Sequence, residues 1–307
     1  MTQQIEDGPV VVVANPAAGR GKAARLIGVA DRLLDDAGIA HVTYVSGSGA
    51  GFERQVREAA EQGARVVAAL GGDGTMGMAA NGLLGTSAAL ACLPAGTASD
   101  FARALGIATL EDAVRAIARR RAVPIDVVRV TTASAPRCYV NVAGCGFDSE
   151  VSEAANAMRF KLGGAATYVV AMLTTLARFA PAGFRIELDG EVVEGPHMLV
   201  VMGNSTTYGG GMKVTPHASV SDGWLDVCLL EALSLPAFLQ AFPQVFRGTH
   251  VRHPRVRMAR ARRVTVEADR RVMVYADGER IGPAPAVFEV VPAALPVITG
   301  PNPAVVR

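Results

Sequence analysis

The sequence predicts an α/β domain followed by a domain built mainly of β-strands. In its first 130 residues, short apolar runs alternate with longer segments whose apolar residues recur every three or four positions. This alternation is typical of parallel strands joined by helices that cover the sheet. After about Val130, strand-like runs follow one another with turns between them, which predicts an antiparallel sheet or sandwich. We therefore expect domains at 1–130 and 131–292 with a cleft between them, and leave open whether residues 293–307 return to the first.

The first domain is predicted to alternate strands and helices. Three of the strand candidates look buried on both faces, as expected in a parallel sheet that helices cover. One helix opens at a capping box, Thr109 to Asp112, which satisfies free backbone N–H groups with side chains. The predicted strands lie at residues 10–14, 41–45, 65–70 and 89–93. The predicted helices lie at residues 23–37, 52–62 and 110–121.

The second domain is predicted to be a series of strands interrupted by helices. Asp189-Gly190 separates two strand candidates, and this dipeptide is a strong indicator of a β-hairpin. The predicted strands lie at residues 184–188, 192–195, 197–203, 224–230, 263–267, 272–276 and 287–290. The predicted helices lie at residues 165–179 and 236–246.

Composition places the chain among globular proteins. Half of its 307 residues are hydrophobic and 19% are charged, so a sizeable core can form and global disorder is excluded. The longest apolar segment, residues 162–177, is shorter than the roughly 20 residues of a spanning helix, so we expect no transmembrane segment. The N-terminus lacks the cationic start of a secretory signal, and the four cysteines have no CxxC spacing. These features predict a cytoplasmic protein.

One basic segment interrupts a nearly neutral sequence. The formal net charge is +2, yet residues 247–263 contain seven arginines, two histidines and no acid. This segment suits an anionic lipid surface better than nucleic acid, and we expect no nucleic-acid partner. Two interpretations stay open. The segment docks the protein peripherally at the inner membrane face, with Phe246 and Met258 near the contact, or it is an arginine-rich face that is only solvated.

The strongest motif is GGDGT at residues 71–75, which follows a predicted strand and precedes a further helix. Glycines let the main chain approach a ligand closely and expose N–H groups to phosphate oxygens. The N-terminus of the following helix adds a positive dipole. Asp73 is unsuited to a phosphate contact but suited to Mg²⁺ or its waters. The motif predicts a phosphate-cradling loop and does not by itself identify the kinase.

Two more turns follow predicted strands. NPAAG at residues 15–19 follows the first strand, and residues 94–100 follow the fourth. The NPAAG turn lacks the GxxxxGK[ST] spacing of a P-loop, so a plain solvated turn stays open for it. Ligands bind at the carboxyl ends of the strands in open α/β sheets. The convergence of three turns at those ends predicts a nucleotide site.

Carboxylates in the second domain are candidates for a catalytic base. Asp222, Asp277 and Glu279 all lie in turns beside predicted strands. Phosphoryl transfer to a hydroxyl group needs a carboxylate within hydrogen-bond reach of that hydroxyl. Glu279 is the better candidate because it stands beyond its turn, free to point into a cleft. The alternative is a solvated hairpin carboxylate, which spacing alone favours.

In this order, the motifs resemble those of the diacylglycerol kinase catalytic-domain family, whose relatives include bacterial lipid kinases and sphingosine kinases. The resemblance runs along nearly the whole chain. It rests on NPAAG at 15–19, GGDGT at 71–75, NGL at 81–83, PAGTASDFAR at 94–103, GCGFDSEV at 144–151, GNSTTYGGGMKVTPHASVSDGWLDV at 203–227 and DGE at 277–279.

The resemblance implies an ATP-dependent lipid kinase with a phosphofructokinase- or NAD-kinase-like N-terminal domain and a C-terminal β-sandwich. Diacylglycerol is the default acceptor and phosphatidic acid the product. Glu279 matches the family's general base, with Asp277 beside it, and Asp73 would help to organise the catalytic Mg²⁺. The implied ATP contacts are Asn15, Pro16, Ala17, Ala18, Gly19, Ser46, Gly72, Asp73, Gly74, Thr75 and Thr97. The structural Mg²⁺ of some bacterial members would map to Ser219, Asp222 and the Trp224 main chain.

Three residues depart from the family pattern. Gly77 and Met78 stand where the family has Asn and Glu, and Ser99 stands where it has Asn. The missing carboxylate at Met78 bears on nucleotide preference, metal geometry and turnover. The alternatives are therefore an NAD kinase, which shares the GGDGT loop, and a catalytically weakened lipid- or nucleotide-binding relative. The sequence also leaves open which lipid is the acceptor and whether the protein forms a homodimer.

Overall fold

The computed structural model describes residues 2–6, 8–47, 49–95, 99–158, 164–304 and 306, and the elements below belong to this part of the chain. The helices are α1 (Lys22–Asp36), α2 (Gly49–Glu61), α3 (Asp73–Leu83), α4 (Asp100–Ala104), α5 (Leu110–Arg119), α6 (Phe147–Ala157), α7 (Gly164–Leu176) and α8 (Leu235–Val245). The strands are β1 (Gln3–Gln4), β2 (Val10–Ala14), β3 (His41–Val45), β4 (Val66–Gly71), β5 (Ala89–Pro94), β6 (Arg121–Thr131), β7 (Arg137–Tyr139), β8 (Val142–Gly146), β9 (Ala182–Leu188), β10 (Glu191–Gly203), β11 (Leu225–Glu231), β12 (Val256–Ala261), β13 (Arg263–Ala268), β14 (Met273–Ala276), β15 (Glu279–Pro283) and β16 (Ala286–Ile298).

Parallel strands make up the sheet of the first half, in the order β5-β4-β2-β3. Val10 pairs with His41 on one side and with Val66 on the other, and Val66 pairs with Ala89. Every residue of β2, β4 and β5 is buried, whereas β3 at the edge is partly exposed. The predicted strands are confirmed. The uninterrupted apolar runs of β2, β4 and β5 are what a parallel sheet with both faces covered needs.

The predicted helices of the first half are confirmed with boundaries that shift by up to three residues. The capping box at α5 is present: Oγ1 of Thr109 accepts a hydrogen bond from the Asp112 N–H at 3.1 Å. Oδ2 of Asp112 accepts one from the Thr109 N–H, also at 3.1 Å. This reciprocal pair satisfies two N–H groups that a helix N-terminus otherwise leaves free, and so fixes where α5 begins.

The second half is an antiparallel β-sandwich whose main sheet has the order β15-β14-β8-β10-β9-β13. Asp189, with φ of +49°, turns the predicted hairpin between β9 and β10, where Leu188 pairs with Glu191. The two strands predicted on either side of Pro196 are one strand, β10. This strand exchanges partners near Pro196: its first part pairs with β9, and its last part pairs with β8 and β11.

Two long strands connect the halves. β16 pairs antiparallel with β6 along most of its length, and near its end Val297 pairs in parallel with Leu90 of β5. The last strand of the chain thereby joins the sandwich to the parallel sheet. On this pairing we propose a division near residue 130, with the chain returning to the first domain after residue 292.

Helices α6, α7 and α8 form an outer layer on the sandwich. Phe147 of α6 is central to it, with ring centroids 5.3 Å from Phe179 and 5.2 Å from Phe238. Met198 of β10 belongs to the same buried cluster. None of the helices in the described residues is both long and apolar enough to cross a lipid bilayer.

Candidate functional site

Three turns meet at the carboxyl ends of β2, β4 and β5. Nδ2 of Asn15 donates a hydrogen bond to Oγ1 of Thr75 at 3.2 Å, which ties the NPAAG turn to the GGDGT loop. Gly19 has a φ of +59°, and a methyl group on it would lie 3.0 Å from the carbonyl oxygen of Ala95. The first turn therefore packs against the start of the third, and the predicted convergence is confirmed there. Thr97 lies outside the described residues.

The remaining residues predicted to contact ATP lie along the same edge of the sheet. The Ser46 N–H donates to the carbonyl oxygen of Ala14 at 3.0 Å, which places the buried Ser46 beside the end of β2. Oδ1 of Asn15 accepts a hydrogen bond from the Ala17 N–H at 3.2 Å and so shapes the turn. Gly72 and Asp73 form the junction between β4 and α3. Their contact with ATP stays a prediction.

Asp73, the first residue of α3, reaches across to the N-terminus of α4. Its Oδ2 accepts a hydrogen bond from the Asp100 N–H at 3.1 Å and its Oδ1 accepts one from the Phe101 N–H at 2.9 Å. Burial raises the pKa of Asp73 to about 6; the Phe101 N–H opposes the rise and the Asp100 carboxylate adds to it. The Asp73 carboxylate is thus incompletely stabilised, and a bound cation would relieve it.

Asp100 is a residue of this site that the sequence analysis did not single out. Its carboxylate is buried, forms an ion pair with Arg103, and accepts a hydrogen bond from the Gly210 N–H at 2.7 Å. Gly210 belongs to a loop of the second half that contains three consecutive glycines, residues 209–211. Asp100 therefore brings that loop next to Asp73. The one indication in the sequence was the position of Asp100 in the turn that follows a buried strand.

Glu279 faces the GGDGT loop from the second half. A methyl group on Gly74 would lie 3.0 Å from Oε1 of Glu279, so the carboxylate touches the loop. Glu279 is exposed at the start of β15, where it can meet both the GGDGT loop and a bound substrate. The structure therefore brings the predicted base and the predicted phosphate loop together.

Asp277, predicted beside Glu279 as a catalytic residue, is buried, and its carboxylate accepts hydrogen bonds from backbone N–H groups. Its Oδ2 accepts a hydrogen bond from the Val140 N–H at 2.9 Å, and its Oδ1 accepts from the N–H groups of Asn141 and Val142 at 3.0 and 3.2 Å. Burial raises the pKa of Asp277 to about 7, against these hydrogen bonds, and Asp73 contributes to the rise. The geometry favours a positioning role, in which Asp277 fixes the turn that carries Glu279.

A clasp made of one ion pair and one side chain that bonds to the backbone holds α2 and α3 to β7. The amide of Asn81 donates to the carbonyl oxygen of Cys138 at 2.7 Å and accepts from its N–H at 2.9 Å. Arg137 forms a bidentate ion pair with Glu53 of α2, which raises the pKa of Arg137; Glu279 contributes to the rise. The clasp therefore links α3, the helix that begins in the GGDGT loop, to β7.

An open cleft of about 610 Å³ adjoins Glu279. It lies between the β14–β15 turn and α6, and its residues are Glu153, Ala157, Tyr275, Gly278, Glu279 and Arg280. A second cavity of about 410 Å³ shares Glu153 with it and extends toward Arg270 and Arg271. A substrate in the first cleft would lie beside the candidate base.

Each of the three residues that depart from the family pattern packs in a defined place in the structure. Gly77 faces Asp277: a methyl group there would lie 2.9 Å from Oδ2 and 3.2 Å from Cβ of Asp277. Met78 is buried, and its Sδ would lie 3.3 Å from a methyl group on Gly49, so it packs against the start of α2. Ser99 is buried just before α4. The glycine at position 77 is what allows Asp277 to approach α3.

The residues at Asp73 fit the predicted Mg²⁺. No three Asp, Glu, His or Cys side chains converge on a metal position in the described part of the chain. Mg²⁺ in phosphoryl-transfer sites is usually held by one or two carboxylates together with phosphate and water, so three are not required. The half-buried Asp73, with its raised pKa and the neighbouring Asp100, provides the oxygen ligands and the negative charge for such an ion.

The residues at Ser219, Asp222 and Trp224 fit a second Mg²⁺ poorly. Oδ1 of Asp222 accepts a hydrogen bond from the Trp224 N–H at 3.2 Å, and Oδ2 forms an ion pair with Arg260. A guanidinium group therefore lies on the one carboxylate of the predicted set, so we assign no role to Mg²⁺ there.

Asp126 is a buried acid beside this turn that the sequence analysis missed. Its Oδ2 accepts from the Gly223 N–H at 2.6 Å, and its Oδ1 accepts from the Ala293 N–H at 2.8 Å. Burial raises the pKa of Asp126, these hydrogen bonds oppose the rise, and Asp222 adds to it. A lone Asp in the apolar run of β6 was the one indication in the sequence.

The basic segment is largely paired with acids from other strands. Four of its seven arginines form ion pairs with acidic side chains. Their partners come from β10, β11, β16 and the turn before β11. The pairs are Arg255 with Glu231, Arg257 with Glu191, Arg260 with Asp222, and Arg263 with Glu289. Pairing reduces the charge that β12 and β13 present to an anionic surface.

Comparison with known proteins covers both halves. Residues 9–130 match the diacylglycerol kinase catalytic domain, and residues 141–299 match the YegS C-terminal NAD kinase beta sandwich-like domain. The diacylglycerol kinase of Mycobacterium tuberculosis is 36% identical over 297 residues, which cover 95% of this chain and 96% of that protein. The diacylglycerol kinase of Bacillus subtilis is 29% identical over 283 residues, covering 90% and 91%.

Further comparisons agree. A probable lipid kinase, YegS-like, of Xanthomonas oryzae is 37% identical over 189 residues, which cover 59% of this chain and 61% of that protein. A solved structure of a diacylglycerol kinase from Bacillus anthracis shares the fold, with a TM-score of 0.72 at 22% identity over 97% of this chain and 98% of that one. The likeness to NAD kinase is confined to the description of the C-terminal domain. This chain belongs to the diacylglycerol kinase family.

Proposed function

We propose that the protein transfers the γ-phosphoryl group of ATP to the hydroxyl group of a membrane lipid, with diacylglycerol as the acceptor and phosphatidic acid as the product. The observation that supports this most directly is the contact of Glu279 with the GGDGT loop, at a position where Glu279 also lines an open cleft. Family membership supports a lipid kinase. The choice of ATP and of diacylglycerol is our proposal.

The roles of the residues follow from their positions. The N–H groups of the GGDGT loop and the N-terminus of α3 bind the phosphates of ATP. The acceptor hydroxyl lies in the cleft beside Glu279, which takes its proton as the lipid oxygen forms a bond to the γ-phosphorus. The bond from the γ-phosphorus to the β–γ bridging oxygen breaks, and ADP leaves. Asp277 holds the turn so that Glu279 points at the loop.

Asp73 would hold the Mg²⁺ that accompanies ATP, together with phosphate oxygens and water. When bound, this ion neutralises the negative charge that develops on the phosphoryl oxygens. Asp73 must be ionised for this role, and the N–H groups of Asp100 and Phe101 fix the orientation of its carboxylate. Because these contacts join the ends of two turns, Asp73 also sets their relative position.

A panel of acceptors tests the proposal. The purified protein is incubated with Mg-ATP and mixed micelles that contain diacylglycerol, a sphingoid base, ceramide or no lipid, and in parallel with NAD. We expect phosphate transfer to diacylglycerol above all other acceptors. Transfer to NAD without transfer to any lipid would contradict the lipid assignment. Transfer to none, with ATP still bound, would favour the catalytically weakened relative.

A lipid acceptor lies in a membrane, so the protein has to contact the membrane surface. We propose that the protein is cytoplasmic and docks peripherally at the inner face of the membrane. Neither α7 nor α8 contains an Asp, Glu, Lys or Arg residue. Leu173, Leu239 and Phe246 are exposed large apolar side chains on or next to these helices, and we call this set the α7–α8 surface. Arg178 follows α7 and Arg247 follows α8. Positive charges beside this surface would be attracted to an anionic bilayer.

Docking is tested by co-sedimentation with vesicles that contain anionic phospholipid and diacylglycerol. The double variant Leu239→Ser, Phe246→Ser is expected to bind at least tenfold more weakly, because each large apolar side chain stabilises the membrane-bound state by roughly 1.5–3 kcal/mol. The matched control is Val42→Ser, Val45→Ser, which removes exposed apolar side chains from the edge strand β3. Equal losses for both double variants would count against the α7–α8 surface.

A further inference from the structure

Arg260 of β12 contacts two acidic residues: Asp222, in the turn before β11, and Asp226, near the start of β11. Its Nη2 forms an ion pair with Oδ2 of Asp222, and its Nε lies 3.6 Å from Oδ2 of Asp226. The guanidinium carbon lies 5.4 Å from the centre of the Trp224 ring, and that of Arg262 lies 4.6 Å from it. One arginine therefore contacts both acids and the aromatic side chain between them.

The turn concentrates negative charge. Asp126 of β6 faces Asp222 and contributes a third carboxylate, whose Oδ2 accepts a hydrogen bond from the Gly223 N–H. The side chains of Asp126 and Asp226 are buried. Three carboxylates around one turn repel each other unless a cation lies among them. In some proteins, a divalent metal ion supplies the positive charge that holds such a cluster of carboxylates together.

A metal ion and Arg260 compete for the same oxygen. Mg²⁺ binds carboxylate oxygens at about 2.0–2.1 Å in a strict octahedron and keeps several of its waters. Oδ2 of Asp222 is hydrogen-bonded to Arg260, and Oδ1 to the Trp224 N–H. An ion placed on Asp222 would also lie next to a guanidinium group of the same sign of charge, so the two cations exclude each other.

We infer that Arg260 serves in this protein as the structural cation of the turn at residues 219–226, which makes the turn independent of metal. The cation–π contacts of Arg260 and Arg262 with the Trp224 ring help to hold the Arg260 guanidinium group beside these acids. The requirement of this protein for Mg²⁺ would then come from the nucleotide alone.

The test measures thermal unfolding and metal content of the full-length protein without nucleotide. We expect wild-type protein freed of metal by EDTA and gel filtration to carry no stoichiometric Mg²⁺ and to unfold at the same temperature with and without millimolar MgCl₂. Arg260→Gln is expected to unfold several degrees lower and to regain part of the loss with MgCl₂. The matched control is Arg257→Gln on the same strand, which loses an exposed pair with Glu191 and is expected to change neither property.

Two results would overturn the inference. One is that the wild-type protein retains one Mg²⁺ per chain, or is stabilised by MgCl₂, and that the variant Asp73→Asn behaves in the same way. Because this variant lacks the carboxylate of the GGDGT loop, the Mg²⁺ would then not be bound at that loop. The other is an Arg260→Gln variant with wild-type stability in EDTA. If Arg260→Gln does not fold, the metal content and Mg²⁺ response of the wild-type protein still decide.

Discussion

Replacing Glu279 with Gln is expected to lower the turnover of lipid phosphorylation by about 10²–10⁴-fold, the usual contribution of a general base. Gln has nearly the same shape but cannot accept the proton of the acceptor hydroxyl. In the described part of the chain no hydrogen bond joins Glu279 to the GGDGT loop, so ATP binding is expected to persist. The measurement is steady-state kinetics with diacylglycerol micelles, which gives kcat and the KM for Mg-ATP separately.

The control for this variant is Glu187→Gln, a partly exposed glutamate on β9 that lies 3.7 Å from Arg185. It removes the same charge from the sandwich far along the sheet from β15, and we expect unchanged kcat. Unchanged turnover in Glu279→Gln would remove Glu279 as the base. A raised KM for Mg-ATP with unchanged kcat would indicate instead that Glu279 contributes to nucleotide binding.

Local patterns predicted the regular elements because each pattern has a direct physical cause. The Val- and Ala-rich runs of β2, β4 and β5 became doubly buried strands, and Asp189-Gly190 became a hairpin turn. Elements without such patterns were missed. β12 carries two arginines among apolar residues without a strict alternation. The basic character of its segment concealed a strand whose arginines pair with acids of β10, β11 and the turn before β11.

The site was predictable in its parts but not in the roles of neighbouring residues. Asp277 and Glu279 are two positions apart. The position of Glu279 beyond the turn made it the better candidate base, but nothing in the spacing indicated that Asp277 is buried against the backbone. Asp277 has φ of +49° and is buried with three N–H donors, whereas Glu279 begins β15 and stays exposed. The donors come from Val140 to Val142, more than 130 positions earlier in the chain. Only the fold brings these groups together.

Charge pairing shows the same limit. Arg257 and Glu191 are 66 positions apart and form an ion pair at 2.5 Å. A charge count along the segment 247–263 treats its arginines as free because their partners lie on other strands. The apolar α7–α8 surface was likewise unreadable, since the exposure of Leu173 and Leu239 depends on which face of each helix packs on the sandwich.

Gly77→Ala is expected to lower the free energy of unfolding by about 1–3 kcal/mol, the usual cost of overpacking, and to reduce kcat at least tenfold. The added methyl group would lie 2.9 Å from Oδ2 and 3.2 Å from Cβ of Asp277. Asp277 cannot move without straining its hydrogen bonds to residues 140–142, and its displacement shifts the turn that carries Glu279. Urea denaturation and kinetics with diacylglycerol measure the two effects.

Gly28→Ala in α1 is the matched control, since its methyl group would meet the Arg32 side chain at an ordinary 3.8 Å. Alanine is favoured over glycine inside a helix by about 1 kcal/mol, so Gly28→Ala is expected to stabilise the protein. Opposite signs for the same substitution in two helices would isolate the contact with Asp277 from helix propensity. Stabilisation by Gly77→Ala with normal kcat would mean that α3 and the β14–β15 turn can separate freely. Positioning of Glu279 by Asp277 would then be excluded.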